Sequence, residues 1–214
     1  MRSENEYWKD VYKNKVKFAS KKDGNVIPWE INTVDPNLKQ FLESTNIPLG
    51  TLLELGCGSG YDSAYLADYG FDVTAIDVSE DVIELSKKLH VTSKVNFITA
   101  DFFQDTLDKQ FDVIYDRGFL HNYKNRLHEI FEKLNTLLDK DGKLIIITGS
   151  PCQPIIDSCM PPPIFLGEIE YYSSKYFKIT LAKEVPFITD SNYENCLGYM
   201  FVLEKIDTDI LYNR

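Results

Sequence analysis

The stretch Leu52-Leu-Glu-Leu-Gly-Cys-Gly-Ser-Gly-Tyr-Asp62 constrains this chain more than any other. Its first residues read as a short apolar strand, and the glycines as a tight turn opening onto a helix. Glycine lets the backbone approach a ligand closely, and a helix N-terminus completes a site for a nucleotide-like molecule. The spacing is selective. A dinucleotide turn needs G-x-G-x-x-G. Here Gly56, Gly58 and Gly60 alternate strictly, and the third dinucleotide glycine would fall on Tyr61 or Ser63. Glu54, two residues before Gly56, adds an acid where a dinucleotide-binding strand stays apolar.

The remainder of the chain supports a folded α/β domain around this turn. The 214 residues are 43% hydrophobic and 26% charged, which suits a soluble protein with a well-buried core. A net charge of −10 argues against nucleic acid or an anionic membrane as partner, because such binding rests on Lys and Arg neutralising phosphate. Lys13, Lys15, Lys17, Lys21 and Lys22 read as a solvated segment. The polar N-terminus does not resemble a signal peptide, and no apolar run is long enough for a membrane span. Cys57, Cys152, Cys159 and Cys196 match neither a zinc pattern nor C-x-x-C, and read as reduced thiols of a cytoplasmic protein. No cluster has metal-ligand spacing, so no metal is expected.

After residue 50, short apolar runs alternate with helical stretches, the pattern of a mostly parallel sheet with helices on both faces. Strands are expected at Thr51–Leu55, Asp72–Ile76, Val95–Thr99, Phe111–Tyr115, Lys143–Thr148, Phe177–Phe187 and Leu197–Ile206. Helices are expected at Asp62–Tyr69, Glu80–Leu89, Lys124–Leu138 and Gly167–Ser174. In the third, Leu127, Ile130, Phe131, Leu134 and Leu138 share one face. Asp141-Gly142 reads as a turn before the fifth strand. Residues 1–50, with Trp8 and Trp29, read as a helical cap; 51–150 as the core; and 151–214 as a long proline-containing loop plus two strands, all within one domain.

Asp77 ends the second strand, seventeen residues after Gly60, where a carboxylate can accept both hydroxyls of a ribose. The competing role is capping the next helix, for which Ser79 is also available. Asp101-Phe102-Phe103 follows the third strand; its acid can accept from an adenine amine and its rings can pack on the base. Glu54, Gly56, Asp77, Asp101 and Asp116 all fall at or near the C-terminal strand ends, where open α/β sheets bind ligands.

The run from Leu52 to Thr148 resembles the core of class I S-adenosylmethionine (SAM) dependent methyltransferases. The resemblance implies a three-layer, Rossmann-like, doubly wound sheet of seven strands with the last antiparallel. It assigns Gly56, Gly58 and Gly60 to the amino-acid part of SAM, Asp77 to the ribose and Asp101 to the adenine, with Val78 and Phe102 among the further cofactor-binding residues. SAM carries a sulfonium, an ammonium and no phosphate, which an acidic loop suits.

One branch is more similar than others: the thiopurine methyltransferase-like group, with its thiol, halide and tellurite enzymes. The likeness rests on Tyr7-Trp8-Lys-Asp-Val-Tyr12 followed by Pro28-Trp29-Glu30, on Asp116-Arg117-Gly118-Phe119-Leu120-His121, and on Pro161–Pro163 before Gly167-Glu-Ile. It departs in the stretched Gly149–Met160 loop. Tyr7, Trp8, Tyr12 and Trp29 can stabilise the sulfonium through their ring faces. Asp116 and His121 are the candidate bases; Arg117 can orient an anionic acceptor or lower its pKa, and His121 can alternatively cap a helix. His90 and His128 are placed on outer helix faces without a role. The expected protein is a methyltransferase for a small soft nucleophile, a monomer or weak homodimer. An NAD-dependent oxidoreductase and a non-catalytic SAM-binding protein are the alternatives.

Overall fold

The side-chain alternation of the central strands sorts their residues onto two opposite sheet faces, and both faces are buried. The computed structural model describes residues 4–14, 27, 29–150, 163–189 and 196–206. Pro28, the lysines at 15, 17, 21 and 22, Cys152, Cys159, and most of the 149–163 loop with its prolines at 151, 154, 161 and 162 lie outside these residues.

Among the described residues the strands are β1 (Thr51–Leu55), β2 (Asp72–Asp77), β3 (Asn96–Thr99), β4 (Phe111–Arg117), β5 (Leu138–Gly149), β6 (Phe177–Pro186) and β7 (Leu197–Lys205). They form one sheet in the order β3-β2-β1-β4-β5-β7-β6. Only β7 runs antiparallel, to β5 on one side and β6 on the other. The order reverses between β1 and β4, so a crevice opens at their C-terminal ends. The seven-stranded expectation is met.

The helices are α1 (Glu4–Asn14), α2 (Pro36–Ser44), α3 (Tyr61–Tyr69), α4 (Glu80–Leu89), α5 (Leu127–Leu137) and α6 (Leu166–Ser173). Leu53, Leu55, Ile114, Leu144 and Ile146 face the side covered by α5 and α6. Leu52, Val73, Val113, Ile145 and Ile147 face the side covered by α2, α3 and α4. Helix α5 turns Leu127, Ile130, Phe131, Leu134 and Leu137 inward. Each such burial stabilises by roughly 1.5–3 kcal/mol.

Two expectations need correction. The helix expected over Lys124–Leu138 is split: a 3-10 helix covers Leu120–Arg126, and α5 begins only at Leu127. The break before α5 is at Arg126, whose φ of −119° and ψ of 17° are not helical, and the 3-10 segment is itself kinked at Tyr123. Tyr123 is drawn aside into contact with Phe119 and Phe103, at ring separations of 4.8 and 4.9 Å. The Asp141-Gly142 turn lies inside β5 rather than before it. There Phe111 pairs with Leu138 but Val113 with Lys143, so the intervening residues of β5 bulge out of the ladder.

The three glycines after β1 are required by geometry: Gly56, Gly58 and Gly60 have φ of +59°, +53° and +77°. At Gly60 a Cβ would also lie 2.6 Å from Cε1 of Phe97. Gly60→Ala is therefore expected to destabilise by about 2–4 kcal/mol, combining left-handed strain with a core clash. Urea unfolding would measure it; a loss under about 1 kcal/mol would mean the turn relaxes freely.

Candidate active site

The strand parity that builds the core also divides the site residues. Glu54, Tyr115 and Arg117 alternate onto the face covered by α2 and α3, while Asp116 lies on the α5 face. Neighbours in sequence therefore have unrelated surroundings.

Glu54 accepts from the Ser63 hydroxyl of α3. Burial, then the nearby Asp62 carboxylate, push its pKa well up. Asp62 accepts from the Asp35 N–H at 2.6 Å and from the Tyr115 hydroxyl at 3.0 Å, and burial raises it to about 6. Arg117 completes this buried group. Its Nε lies 2.7 Å from Oδ2 of Asp35, and its Nη atoms donate to the Trp29 and Ile188 carbonyls. The guanidinium also lies over the Phe187 ring, 5.4 Å from its centroid. Burial works against its charge, but Asp35 and Asp62 outweigh it and raise its pKa. Asp35 in turn caps α2, accepting from the Asn37 N–H at 2.8 Å, with Pro36 at the first helical position. Arg117 thus joins the cap, the central sheet and the segment after β6.

Asp116 accepts from the Phe119 and Leu120 N–H groups at 2.6 and 3.2 Å, which starts the 3-10 helix. Burial lifts its carboxyl to about 7, against the lowering effect of those two bonds. His121 is buried; its Nδ1 lies 3.3 Å from the Thr148 hydroxyl and 3.5 Å from the Gly149 nitrogen. Burial, then the Arg117 charge, push the imidazole down to about 3, so it is neutral at physiological pH. Phe187 lies edge-on to it at 5.8 Å.

Asp77 does two things at once. Oδ1 accepts from the Ser79 N–H at 2.9 Å, and Oδ2 from the Gly58 N–H at 3.2 Å. Burial raises it to about 6. Ser79 occupies the α4 cap position without making a side-chain cap bond. Its buried hydroxyl has no partner among the described residues. Val78, half-buried, follows Asp77 in the bend before α4. Asp101 is half-exposed and holds its own turn through the Phe103 N–H at 2.9 Å. Phe102 is buried in the core and touches Phe103 and Phe119. Phe119 in turn stands where a Cβ on Gly56 would meet it at 3.4 Å.

The N-terminal segment reaches the glycine loop. Trp29 Nε1 donates to the Tyr12 hydroxyl at 3.1 Å, and Tyr12 donates to Oε1 of Glu30 at 2.9 Å. Glu30 accepts from both the N–H and the hydroxyl of Ser59. Trp8 packs edge-on against Trp29 at 5.5 Å. Burial, then Glu30 and Asp77, raise the Tyr12 phenol well above its ordinary pKa.

The geometry brings Glu54, the three glycines, Asp77 and Trp29 around one loop, and sets Asp116, Arg117 and His121 at the neighbouring strand ends. It also corrects one placement: His90 is not an unengaged surface residue. Its Nε2 lies 3.0 Å from the Ser59 carbonyl, and its ring contacts Tyr61 and Phe97. Sequence reading missed the roles of Glu30, Asp35, Asp62 and Ser59. Only Asp35 carried a local signal, the Asp-Pro pair that starts α2. Cys57 and Cys196 are free thiols. Among the described residues no His, Cys or carboxylate group could hold a metal, and no helix is long and apolar enough to cross a membrane.

A glycine turn at the switch point of a 3-2-1-4-5-7-6 sheet, flanked by carboxylates, defines a class I methyltransferase-type domain. Residues 53–146 match the family described as a methyltransferase domain. The chain is similar to a probable thiol methyltransferase 2 of Arabidopsis thaliana, 27% identical over 154 residues, covering 70% of this chain and 66% of that protein. In the curated relatives matched first, the alignment spans under two thirds of their own length. Among solved structures, one from work on conversion of a disulfide bond into a thioacetal group during echinomycin biosynthesis superposes with a TM-score of 0.80 at 20% identity, covering 98% of this chain and 97% of that one. The magnesium protoporphyrin IX methyltransferase of Synechocystis PCC 6803 with bound SAH gives 0.70 at 17% identity, covering 95% and 100%. Residues 53–146 thus carry a methyltransferase domain, on the fold shared with these solved structures.

Proposed function

We propose that this chain transfers the methyl group of SAM to a small thiol or a similarly soft nucleophile. The observation that carries the cofactor half is the glycine loop. Its Gly58 and Ser59 N–H groups point at carboxylates, Asp77 and Glu30, instead of lying open. A dinucleotide pyrophosphate needs such donors free. A cation without phosphate is favoured by the same arrangement. The orphaned Ser79 hydroxyl beside Asp77 offers a further polar contact at the ribose end.

When bound, SAM supplies an electrophilic methyl on a cationic sulfur. The chain's contribution is then alignment and exclusion of water more than proton transfer. Asp77 is the residue to hold the ribose hydroxyls, Asp101 the adenine amine, and Trp29 with Trp8 the cap over the sulfonium. On the acceptor side His121 stays neutral, and its depressed pKa makes it a weak base. Asp116 has both oxygens on backbone N–H groups. Arg117 is engaged by Asp35 and two carbonyls, which favours a pinning role over acceptor binding. Such a site suits a nucleophile that ionises unaided, as a thiol of pKa about 8.5 does in part. The thiol methyltransferase relative supports the same class.

The test is a product-resolved assay with SAM and matched thiol, selenol, halide, tellurite, alcohol and carboxylate acceptors. Thiol turnover should exceed that of the matched alcohol by about tenfold or more. Binding of S-adenosylhomocysteine with no turnover on any soft nucleophile would overturn the enzymatic proposal in favour of a cofactor-binding protein.

A further inference from the structure

Every backbone N–H from Cys57 to Gly60 already has an acceptor within the chain. Cys57 donates to the Ile76 carbonyl and Gly60 to the Cys57 carbonyl, both at 3.0 Å. Gly58 and Ser59 donate to Asp77 and Glu30, each at 3.2 Å. The loop carbonyls of Gly58 and Ser59 are met by the Ser86 hydroxyl and by His90. The loop therefore meets a ligand through the carboxylates fixed upon it. Asp77 comes from the sheet, but Glu30 comes from the cap.

Glu30 sits where Gly58 leaves room: a Cβ there would lie 2.7 Å from Oε1 of Glu30 and 3.2 Å from the Tyr12 hydroxyl. Its donors are the Tyr12 hydroxyl, the Ser59 N–H and the Ser59 hydroxyl, all neutral. Among the described residues no Lys, Arg or His pairs with it. A carboxylate offers about four acceptor directions. Oε1 takes two of these donors and Oε2 takes one, so Oε2 retains a direction for another donor. A half-buried carboxylate with only neutral partners attracts a cation more strongly than one in bulk water.

We propose that Glu30 is a cofactor-binding residue that receives the α-ammonium of the amino-acid part of SAM. The assignment rests on the SAM reading above and extends it to the cap. Tyr12 and Ser59 hold the carboxylate in place, and Trp29 orients Tyr12. Cofactor binding and seating of the N-terminal segment are then one event, because the same carboxylate serves both.

Two ligands separate the possibilities by titration calorimetry: S-adenosylhomocysteine, which carries the ammonium, and 5′-methylthioadenosine, which lacks the whole amino-acid part. Glu30→Gln keeps the shape and an accepting oxygen but loses the charge. It should weaken S-adenosylhomocysteine by about tenfold or more and leave 5′-methylthioadenosine within about twofold of wild type. Glu30→Asp should recover part of the loss. Equal weakening of both ligands would overturn the proposal, since Glu30 would then only shape the loop. Unchanged or tighter S-adenosylhomocysteine would also overturn it, and would make Glu30 a plug that the cofactor displaces. A wild-type protein that binds neither ligand would instead remove the SAM reading itself, a result that no variant comparison imitates.

Discussion

Replacing Arg117 with methionine is expected to lower the unfolding free energy by about 3–5 kcal/mol, the usual cost of stranding a buried charge. The guanidinium is 10% exposed and its partner Asp35 is fully buried. Asp62 is close enough to feel the same charge. Removing it leaves two carboxylates with no compensating cation, and cuts the ties to the Trp29 and Ile188 carbonyls. Adding Asp35→Asn should restore part of the loss, because asparagine caps a helix about as well as aspartate and carries no charge. The deficit should also shrink with acidity. Asp62 titrates near 6 when folded, above its unfolded value, and loss of Arg117 moves it higher still. At pH 5.5 it is then largely neutral in the folded variant and the penalty is reduced. Urea unfolding of both variants at two pH values measures this. A loss under about 1 kcal/mol for Arg117→Met would show that water reaches these carboxylates.

Asp77→Ala should weaken S-adenosylhomocysteine by about 100-fold or more while the far-ultraviolet spectrum stays native. The proposed role of the carboxylate is to accept two ribose hydroxyls, and it also fixes the loop through Gly58 and the start of α4 through Ser79. Loss of those two bonds should cost about 1–3 kcal/mol of stability as well. Wild-type affinity should follow the same group. Its folded pKa is raised to about 6, so the accepting carboxylate form is complete at pH 7.5 and falls away as pH drops through 6. A variant within about threefold of wild type would remove the ribose role and leave Asp77 as a turn residue.

Much of the sheet was legible because a parallel sheet covered on both faces needs continuous apolar strands, and β1, β2, β4 and β5 supply them. The glycine loop was legible for a local reason too, since three alternating left-handed residues leave an unmistakable spacing. What escaped depends on distant partners. Arg117 pairs with Asp35, 82 residues away, a partner that nothing in its local sequence announces. His90 reads as surface from its helix, but it ends α4 beside the loop and meets Ser59. The onset of α5 was misread because Lys124–Arg126 continue into a helical stretch in sequence, while Asp116 starts a tighter helix that claims them. Each miss is a tertiary contact overriding a correct local signal.

The self-contained bonding of the loop from Cys57 to Gly60 also bears on the kinetics of ligand capture. Freezing a residue's backbone costs roughly 1–2 kcal/mol at room temperature. Here that entropy is lost when the chain folds, because Ile76, Cys57, Asp77 and Glu30 already fix the four amides. Three of those acceptors belong to the sheet and the loop, and one to the N-terminal segment. An arriving ligand thus meets a rigid floor and has only the cap side to rearrange. The slow step in association should belong to residues around Trp29 and Glu30, with the glycine loop already in its final shape.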